Sequence, residues 1–246
     1  MKILITGKNG FIARNLIEYL DKSINKYDLL LYSHKDDDSL LEEYCKECDF
    51  VFHLAAVQRS NNQYEFKTGN VNLTKKIILL LKNNKNYVPI LFSSSTQIEN
   101  DSIFAKTKIE AERIFIDYSK THNVKVFIYR LNHIYGKYGK PNFNNVISTF
   151  LYNIANDLPI SINNINHILE ITYINDLILD FEKCLNNIDN ATNKYYYFPS
   201  KKTTLTMADL VYQISKSLSN KTNKTELQHN LFNTYMYYYK SRIFDF

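Results

Sequence analysis

Apolar runs and helical periods alternate along the first 130 residues. Lys2–Thr6 reads as a buried strand, and residues 15–20 lie in the helix that follows. Asp28–Tyr32 predicts a second strand, and residues 49–56 a third. The spacing predicts a helix over 70–81, with Val71, Ile77, Ile78 and Leu81 on one face. Residues 89–93 predict strand four, 106–118 a long helix and 124–130 strand five. This alternation argues for an α/β, Rossmann-type, doubly wound parallel sheet.

After Gly136 the pattern loosens. Helices are predicted over Val146–Ala155, 177–184 and 206–218, with a short strand over Ile168–Tyr173. Thr206 can cap the last of these helices, with Asp209 at its third position. The expected division is a dinucleotide-binding domain over 1–135 and a small C-terminal substrate-binding lobe over 136–246. The lobe is expected to interleave with the end of the first sheet. Residues 231–246 are crowded with aromatics (Phe232, Tyr235, Tyr237, Tyr238, Tyr239, Phe244, Phe246). They read as packing, with a dimer contact or a C-terminal partner domain as the alternatives.

A chain of 246 residues, 45% of them apolar, suits one large α/β domain with an appendage. No uncharged apolar run reaches the roughly 18 residues of a membrane span. The N-terminus enters a strand without the long apolar run of a signal peptide, so a cytoplasmic location is expected. Cys45, Cys48 and Cys184 make no disulfide framework, and Cys45-Lys-Glu-Cys48 lacks a second ligand pair for a metal. The net charge of +5 is scattered among acids, which argues against a nucleic-acid partner. The excess of Asn, Lys and Ile reads as a bias of the source genome.

The chemistry begins at Gly7-Lys-Asn-Gly10-Phe-Ile-Ala13. Gly7 allows a tight turn, Gly10 lets the backbone approach a pyrophosphate, and Ala13 lets the helix pack close to the sheet. Asn9, Phe11 and Ile12 complete the cofactor-binding turn, whose helix N-terminus favours phosphate. Ser33, His34 and Lys35 follow strand two and can receive a 2′-phosphate, with Asp36-Asp-Asp38 just beyond. NADP(H) is therefore expected ahead of NAD(H). Leu54, Ala55 and Ala56 are expected to line the nicotinamide side of the groove, and Asn70 opens the next helix.

Ser93-Ser-Ser95 and Thr96 follow strand four, and Lys108 lies one helical turn beyond Phe104. A serine there can polarise a carbonyl, and a helix lysine can hold a ribose. Asn132, His133 and Tyr135 follow strand five, and Lys137, Lys140 and Asn142 sit in a Gly/Pro-containing loop suited to a diphosphate.

These residues resemble the extended short-chain dehydrogenase/reductases that act on nucleotide sugars. The likeness rests on residues 6–13, His53-Leu-Ala-Ala56, Gly69-Asn-Val71, Ser93-Ser-Ser95, Lys108, residues 130–136 and Tyr173-Ile-Asn-Asp176. Residues 66–71, 136–147 and 231–235 further resemble the reductase domains of bifunctional capsular-polysaccharide enzymes that make UDP-N-acetyl-L-fucosamine precursors. The resemblance implies NADP(H)-dependent C4 reduction of a UDP-4-keto-6-deoxy-2-acetamido sugar. It implies a supporting role for Asn70, a carbonyl-polarising Ser95, a catalytic Lys108 and a substrate-touching Asn132. It also implies a homodimer through helices near 73–81 and 108–118, with Ile109, Phe115 and Ile116 as apolar candidates. A cupin-type epimerase, absent or encoded apart, is the implied partner.

Phe104 stands where the resemblance puts a catalytic tyrosine, and phenylalanine has no proton to give. Three readings stay open. Tyr135, His133, Thr107 or Ser102 replaces the acid, or hydride transfer is slow, or the protein is a non-catalytic nucleotide-sugar binder. A related epimerase or dehydratase is the alternative enzyme, and a Tyr-to-Phe trapping variant is a lesser possibility.

Overall fold

The computed structural model describes residues 1–23, 26–143, 145–188, 194–219 and 223–244. In chain order they form β1 (Lys2–Thr6), α1 (Phe11–Asp21), β2 (Asp28–Tyr32), α2 (Asp38–Glu47), β3 (Phe50–His53) and α3 (Gln63–Phe66). A π-helical stretch, Lys67–Asn72, leads into α4 (Leu73–Asn83) and β4 (Ile90–Ser95). Then come a 3-10 turn (Thr96–Glu99), α5 (Ile103–His122), β5 (Val126–Leu131), β6 (His133–Tyr135), α6 (Val146–Ala155) and β7 (Ile168–Tyr173). The chain closes with α7 (Ile174–Asn186), β8 (Tyr196–Tyr197), β9 (Thr203–Thr206), α8 (Met207–Leu218) and α9 (Glu226–Phe244).

Two compact units share these elements. The first comprises Met1–Leu131 and Ile178–Pro199, the second Asn132–Leu177 and Ser200–Phe246. Asn132, His133 and Tyr135 thus belong to the second unit.

The first unit holds a six-stranded sheet of order β2-β1-β3-β4-β5-β8, with every neighbouring pair parallel. The order reverses between β1 and β3, and open parallel sheets take ligands beyond the carboxyl ends of strands at such a point. Leu4, Val51, Ile90, Phe92 and Ile128 from the strands meet Ile77, Leu81, Ala111 and Phe115 from α4 and α5 in one buried cluster. Each of the larger side chains contributes roughly 1.5–3 kcal/mol when fully buried.

Three expectations need correction here. β3 stops at His53, so Leu54, Ala55 and Ala56 lie in the loop beyond it rather than in the strand. The helix expected over 70–81 is widened at its start into a π-helix, where Asn70 accepts from the Val57 N–H at 2.8 Å and donates to the Val57 carbonyl at 3.1 Å. Phe115, a candidate for a dimer surface, is fully buried, with its ring 4.9 Å from that of Phe92.

The second unit holds a three-stranded sheet of order β6-β7-β9, in which β6 and β7 are parallel and β9 runs antiparallel. Tyr135, Ile147, Phe150, Leu169, Ile171, Leu210, Leu231 and Tyr238 form its core. The Thr206 hydroxyl accepts from the Asp209 N–H at 3.1 Å, and the Asp209 carboxylate accepts from the Thr206 N–H at 3.2 Å. This reciprocal cap starts α8. Among the described residues, no helix is long and apolar enough to cross a membrane.

Candidate active site

The turn after β1 is built by Gly7. Its φ is +74°, and a Cβ there would lie 2.8 Å from the Ala55 Cα and 2.9 Å from the Ala55 N. Only glycine combines that conformation with such a close approach of the loop after β3. The Gly7 and Lys8 N–H groups donate to the Tyr32 carbonyl at 2.8 and 3.2 Å, tying the turn to the end of β2. Gly10 is the N-cap of α1, with no side-chain cap and no acid in the first turn. The first N–H groups of α1 therefore meet no anionic side chain of their own helix, which suits a phosphate. Asn9 is exposed, and Phe11 and Ile12 are half-buried on the first turn.

Beyond β2, the Asp36 carboxylate accepts from the Ser33 N–H at 2.6 Å and the Ser33 hydroxyl at 3.0 Å. Lys8 reaches across from the glycine turn and pairs with Asp36 at 2.8 Å. The Lys8 ammonium and the Ser33 groups hold the Asp36 carboxyl below the usual carboxylate range. Ser33 is buried and its hydroxyl is spent on Asp36, while His34 and Lys35 are exposed. Reading along the chain noted Asp36 but missed Lys8 and its pairing with that carboxylate. Their partnership spans 28 positions, and no local pattern announces it.

A buried polar chain braces the strand ends. Thr6 and His53 are level across β1 and β3. The Thr74 hydroxyl donates to the Asn70 carbonyl at 2.7 Å, so it accepts from His53 Nε2–H at 3.1 Å. That leaves His53 Nδ1 to accept from the Thr6 hydroxyl at 2.8 Å, while Thr6 Oγ1 accepts from the Ala55 N–H at 3.2 Å. This assignment satisfies every member with one tautomer. Burial, with the Lys108 charge adding to it, depresses the His53 pKa to about 3.

Lys108 lies on α5 with 3% of its surface exposed. Its ammonium donates to the Ser93 carbonyl at 2.8 Å. It sits 4.6 Å from the centre of the Phe92 ring and 5.8 Å from that of Phe104. Burial lowers its pKa to about 7, partly opposed by Glu112. Glu112, one turn further on, takes the Ser94 hydroxyl at 2.5 Å and the Arg130 guanidinium at 2.8 and 3.2 Å. Arg130 in turn stacks 3.9 Å over the Tyr196 ring. Thr107 donates to the Phe104 carbonyl and accepts from the Asn70 amide at 3.0 Å, which joins Asn70 to α5. Ser102 caps α5 by accepting from the Ala105 N–H, and Ser95 accepts from the Gln97 N–H at 3.1 Å. The Thr96 hydroxyl donates to the Leu131 carbonyl at 3.2 Å.

In the second unit, Asn132 has both amide atoms buried and without a hydrogen-bond partner. Such a group costs about 1–3 kcal/mol per missed bond, and it suits a polar ligand. Tyr135 is 2% exposed in the core, its ring 5.4 Å from that of Tyr173. Burial raises its phenol well above the ordinary range, so the expectation of a proton donor at Tyr135 gives way to a packing role. His133 is half-buried, and burial lowers its pKa. Lys137 lies 5.3 Å from the Tyr138 ring and Lys140 4.9 Å from the Phe143 ring. Asn142, at φ 55°, donates its backbone N–H to Thr149 Oγ1 at 2.9 Å.

The model of the NAD dependent epimerase/dehydratase family matches residues 3–197. A Pseudomonas aeruginosa protein named UDP-2-acetamido-2,6-beta-L-arabino-hexul-4-ose reductase is 31% identical over 240 residues, covering 96% of this chain. The chain spans 64% of that relative's length. The capsular polysaccharide assembling protein CapF of Staphylococcus aureus superposes with a TM-score of 0.86 at 28% identity, over 100% of this chain and 68% of that one. The UDP-glucuronic acid 4-epimerase of Bacillus cereus, solved with UDP-glucuronic acid and NAD, shares the fold at a TM-score of 0.81 and 17% identity, over 98% and 99% of the two chains. The parallel sheet, the glycine turn and these matches together make the chain a member of the NAD dependent epimerase/dehydratase family, the extended short-chain dehydrogenase/reductases.

Proposed function

We propose that the chain reduces the C4 ketone of a UDP-linked 4-keto-6-deoxy-2-acetamido hexose with NADPH, in the synthesis of a surface-glycan precursor. The observation that carries this reading is that the Gly7 turn and Lys108 both stand at the carboxyl edge of one parallel sheet, in a chain 31% identical to a UDP-sugar 4-ketose reductase.

The residues fit a dinucleotide. The Gly7 turn leaves no room for a Cβ, and the uncapped start of α1 offers N–H groups to a pyrophosphate. Gly10, Asn9, Phe11 and Ile12 would flank it, Ala55 and Ala56 the nicotinamide, and Lys108 the ribose beside that ring. Lys8, His34 and Lys35 supply positive charge for a 2′-phosphate. When bound, the cofactor supplies hydride to the carbonyl carbon. Ser95 would hold the carbonyl, with Thr96 beside it on the substrate side, and Asn132 would bond the sugar with its otherwise unmatched amide. Lys137, Lys140 and Asn142 would meet the diphosphate.

A homodimer and a cupin-type epimerase acting at C3 before the reduction complete this reading. The test is NADPH consumption with the ketosugar, beside thermal shifts with UDP, dTDP and GDP sugars. Turnover with UDP-sugar stabilisation is expected. Retained oxidised cofactor with no net NADPH use would indicate an epimerase. Ligand stabilisation without turnover would indicate the non-catalytic binder that Phe104 favours.

A further inference from the structure

Reduction of a ketone needs a proton as well as a hydride, and the sheet edge of the first unit has few groups able to give one. Phe104 has none. The Thr107 hydroxyl is directed at the Phe104 carbonyl, and the Ser94 hydroxyl at Glu112. Both Glu112 oxygens are taken, one by Ser94 and Arg130 and the other by Arg130. His53 has both ring nitrogens engaged and stays neutral across the physiological range.

Lys108 is different. It is a buried ammonium with three N–H bonds, and among the described residues its one hydrogen-bond acceptor is the Ser93 carbonyl. Two aromatic rings, Phe92 and Phe104, face the rest of the head group. A buried cation with so little compensation is costly, and such groups cluster where a proton is exchanged.

On the reductase reading above, we propose that Lys108 itself is the proton donor of the reaction, acting across one water at the edge of the Phe104 ring. The Ser93 carbonyl and the Phe92 and Phe104 rings enclose the ammonium, so a water is needed to carry its proton to the substrate ketone. A bound reduced nicotinamide would supply hydride to the carbonyl carbon, and the C=O π electrons would move to oxygen. The oxygen takes a proton from the water, and the water takes one from Lys108. The products are the alcohol, the oxidised nicotinamide and a neutral lysine amine, which regains its proton from solvent along the same path.

The charged and titratable groups that face Lys108 set the pH behaviour. Glu112 on α5 favours the ammonium, His53 on β3 is neutral, and Arg130 on β5 is neutralised by Glu112. Burial dominates and brings the ammonium close to neutrality, so a proton can leave at working pH.

The experiment compares the native chain with Lys108→Arg, which keeps the charge and the donors but holds its proton. NADPH and UDP-sugar binding are measured by calorimetry, kcat is followed against pH, and the lysine side chains of the ligand-free protein are titrated by NMR. One lysine signal titrating near pH 7 and missing from Lys108→Arg is expected. Native kcat should fall about tenfold per pH unit above that point. Lys108→Arg should bind both ligands and lose roughly 10²-fold or more in kcat. An unchanged kcat in Lys108→Arg, or a Lys108 titration at about pH 10, overturns the proposal and leaves the reductase reading standing. Binding of both ligands with no turnover by the native chain overturns the reductase reading and the proposal together.

Discussion

Lys8 and Asp36 form an ion pair of 2.8 Å that joins the glycine turn after β1 to the loop after β2. The pair sets a cation and an anion side by side where the ribose of an adenosine would lie in a sheet of this order. On the NADPH reading, Lys8→Ala should weaken NADPH by roughly tenfold, about 1.4 kcal/mol, and NADH much less. Asp36→Asn should strengthen NADPH, because an anion facing the 2′-phosphate is removed. Calorimetry with both cofactors checks this. A larger loss of NADH than of NADPH in Asp36→Asn would make Asp36 the ribose partner and the chain NAD-dependent.

Gly7 is the position where backbone conformation and space coincide. Gly7→Ala should lower Tm by roughly 5–10 °C, since both a positive φ and a contact with Ala55 must be relieved. Gly10→Val tests the other half of the turn. Its φ is an ordinary −76°, so the fold should survive while cofactor binding is lost to the branched side chain. Thermal melting beside cofactor titration separates the two effects.

Phe104→Tyr should raise the rate of ketone reduction by roughly 10²-fold, by placing a phenol beside the Lys108 charge that lowers its pKa. The alkaline limb of the rate profile should move to higher pH, because the proton then comes from a phenol rather than from the ammonium. A pH profile of kcat for both proteins is the measurement. An unchanged rate would show that the native donor is already as effective.

His53 gives the fold a sensitivity to acid. Its folded pKa, about 3, lies below its unfolded value of about 6.5, so between these limits the unfolded chain binds the extra proton. The contribution is fully present above pH 6.5 and is lost as pH falls, at about 1.4 kcal/mol per unit. Urea unfolding between about pH 7 and pH 4 should show this slope, and His53→Gln should flatten it.

Glu112 is 2% exposed and carries Ser94 and Arg130 together. Glu112→Ala strands a guanidinium and a hydroxyl beneath the site, and should cost about 3 kcal/mol. The same change removes the charge that favours the Lys108 ammonium, so the Lys108 titration should move further down in pH. Denaturant unfolding and the lysine NMR titration read the two consequences separately.

What local physics controls is legible along the chain. Apolar runs set β1, β2, β4 and β5. The helical period set the buried face that runs from the π-helical stretch into α4, where Val71, Ile77, Ile78 and Leu81 all lie inside. The chemistry of Thr206 and Asp209 set the start of α8. The glycine turn was legible because its backbone demands are met by residues three apart. What depends on distant partners emerges only in the folded chain. Lys8 met Asp36, Asn70 met Val57 and Thr107, and Glu112 met Arg130, each across a separation no periodicity records. α9 escaped notice because its apolar and polar residues are spread evenly round the helix, so that only packing against α6 and α8 defines its inner side. Tyr135 looked like site chemistry from its place after strand five. Packing beside Tyr173 in the second unit assigned Tyr135 to the core, while the Asn132 amide is buried and unmatched.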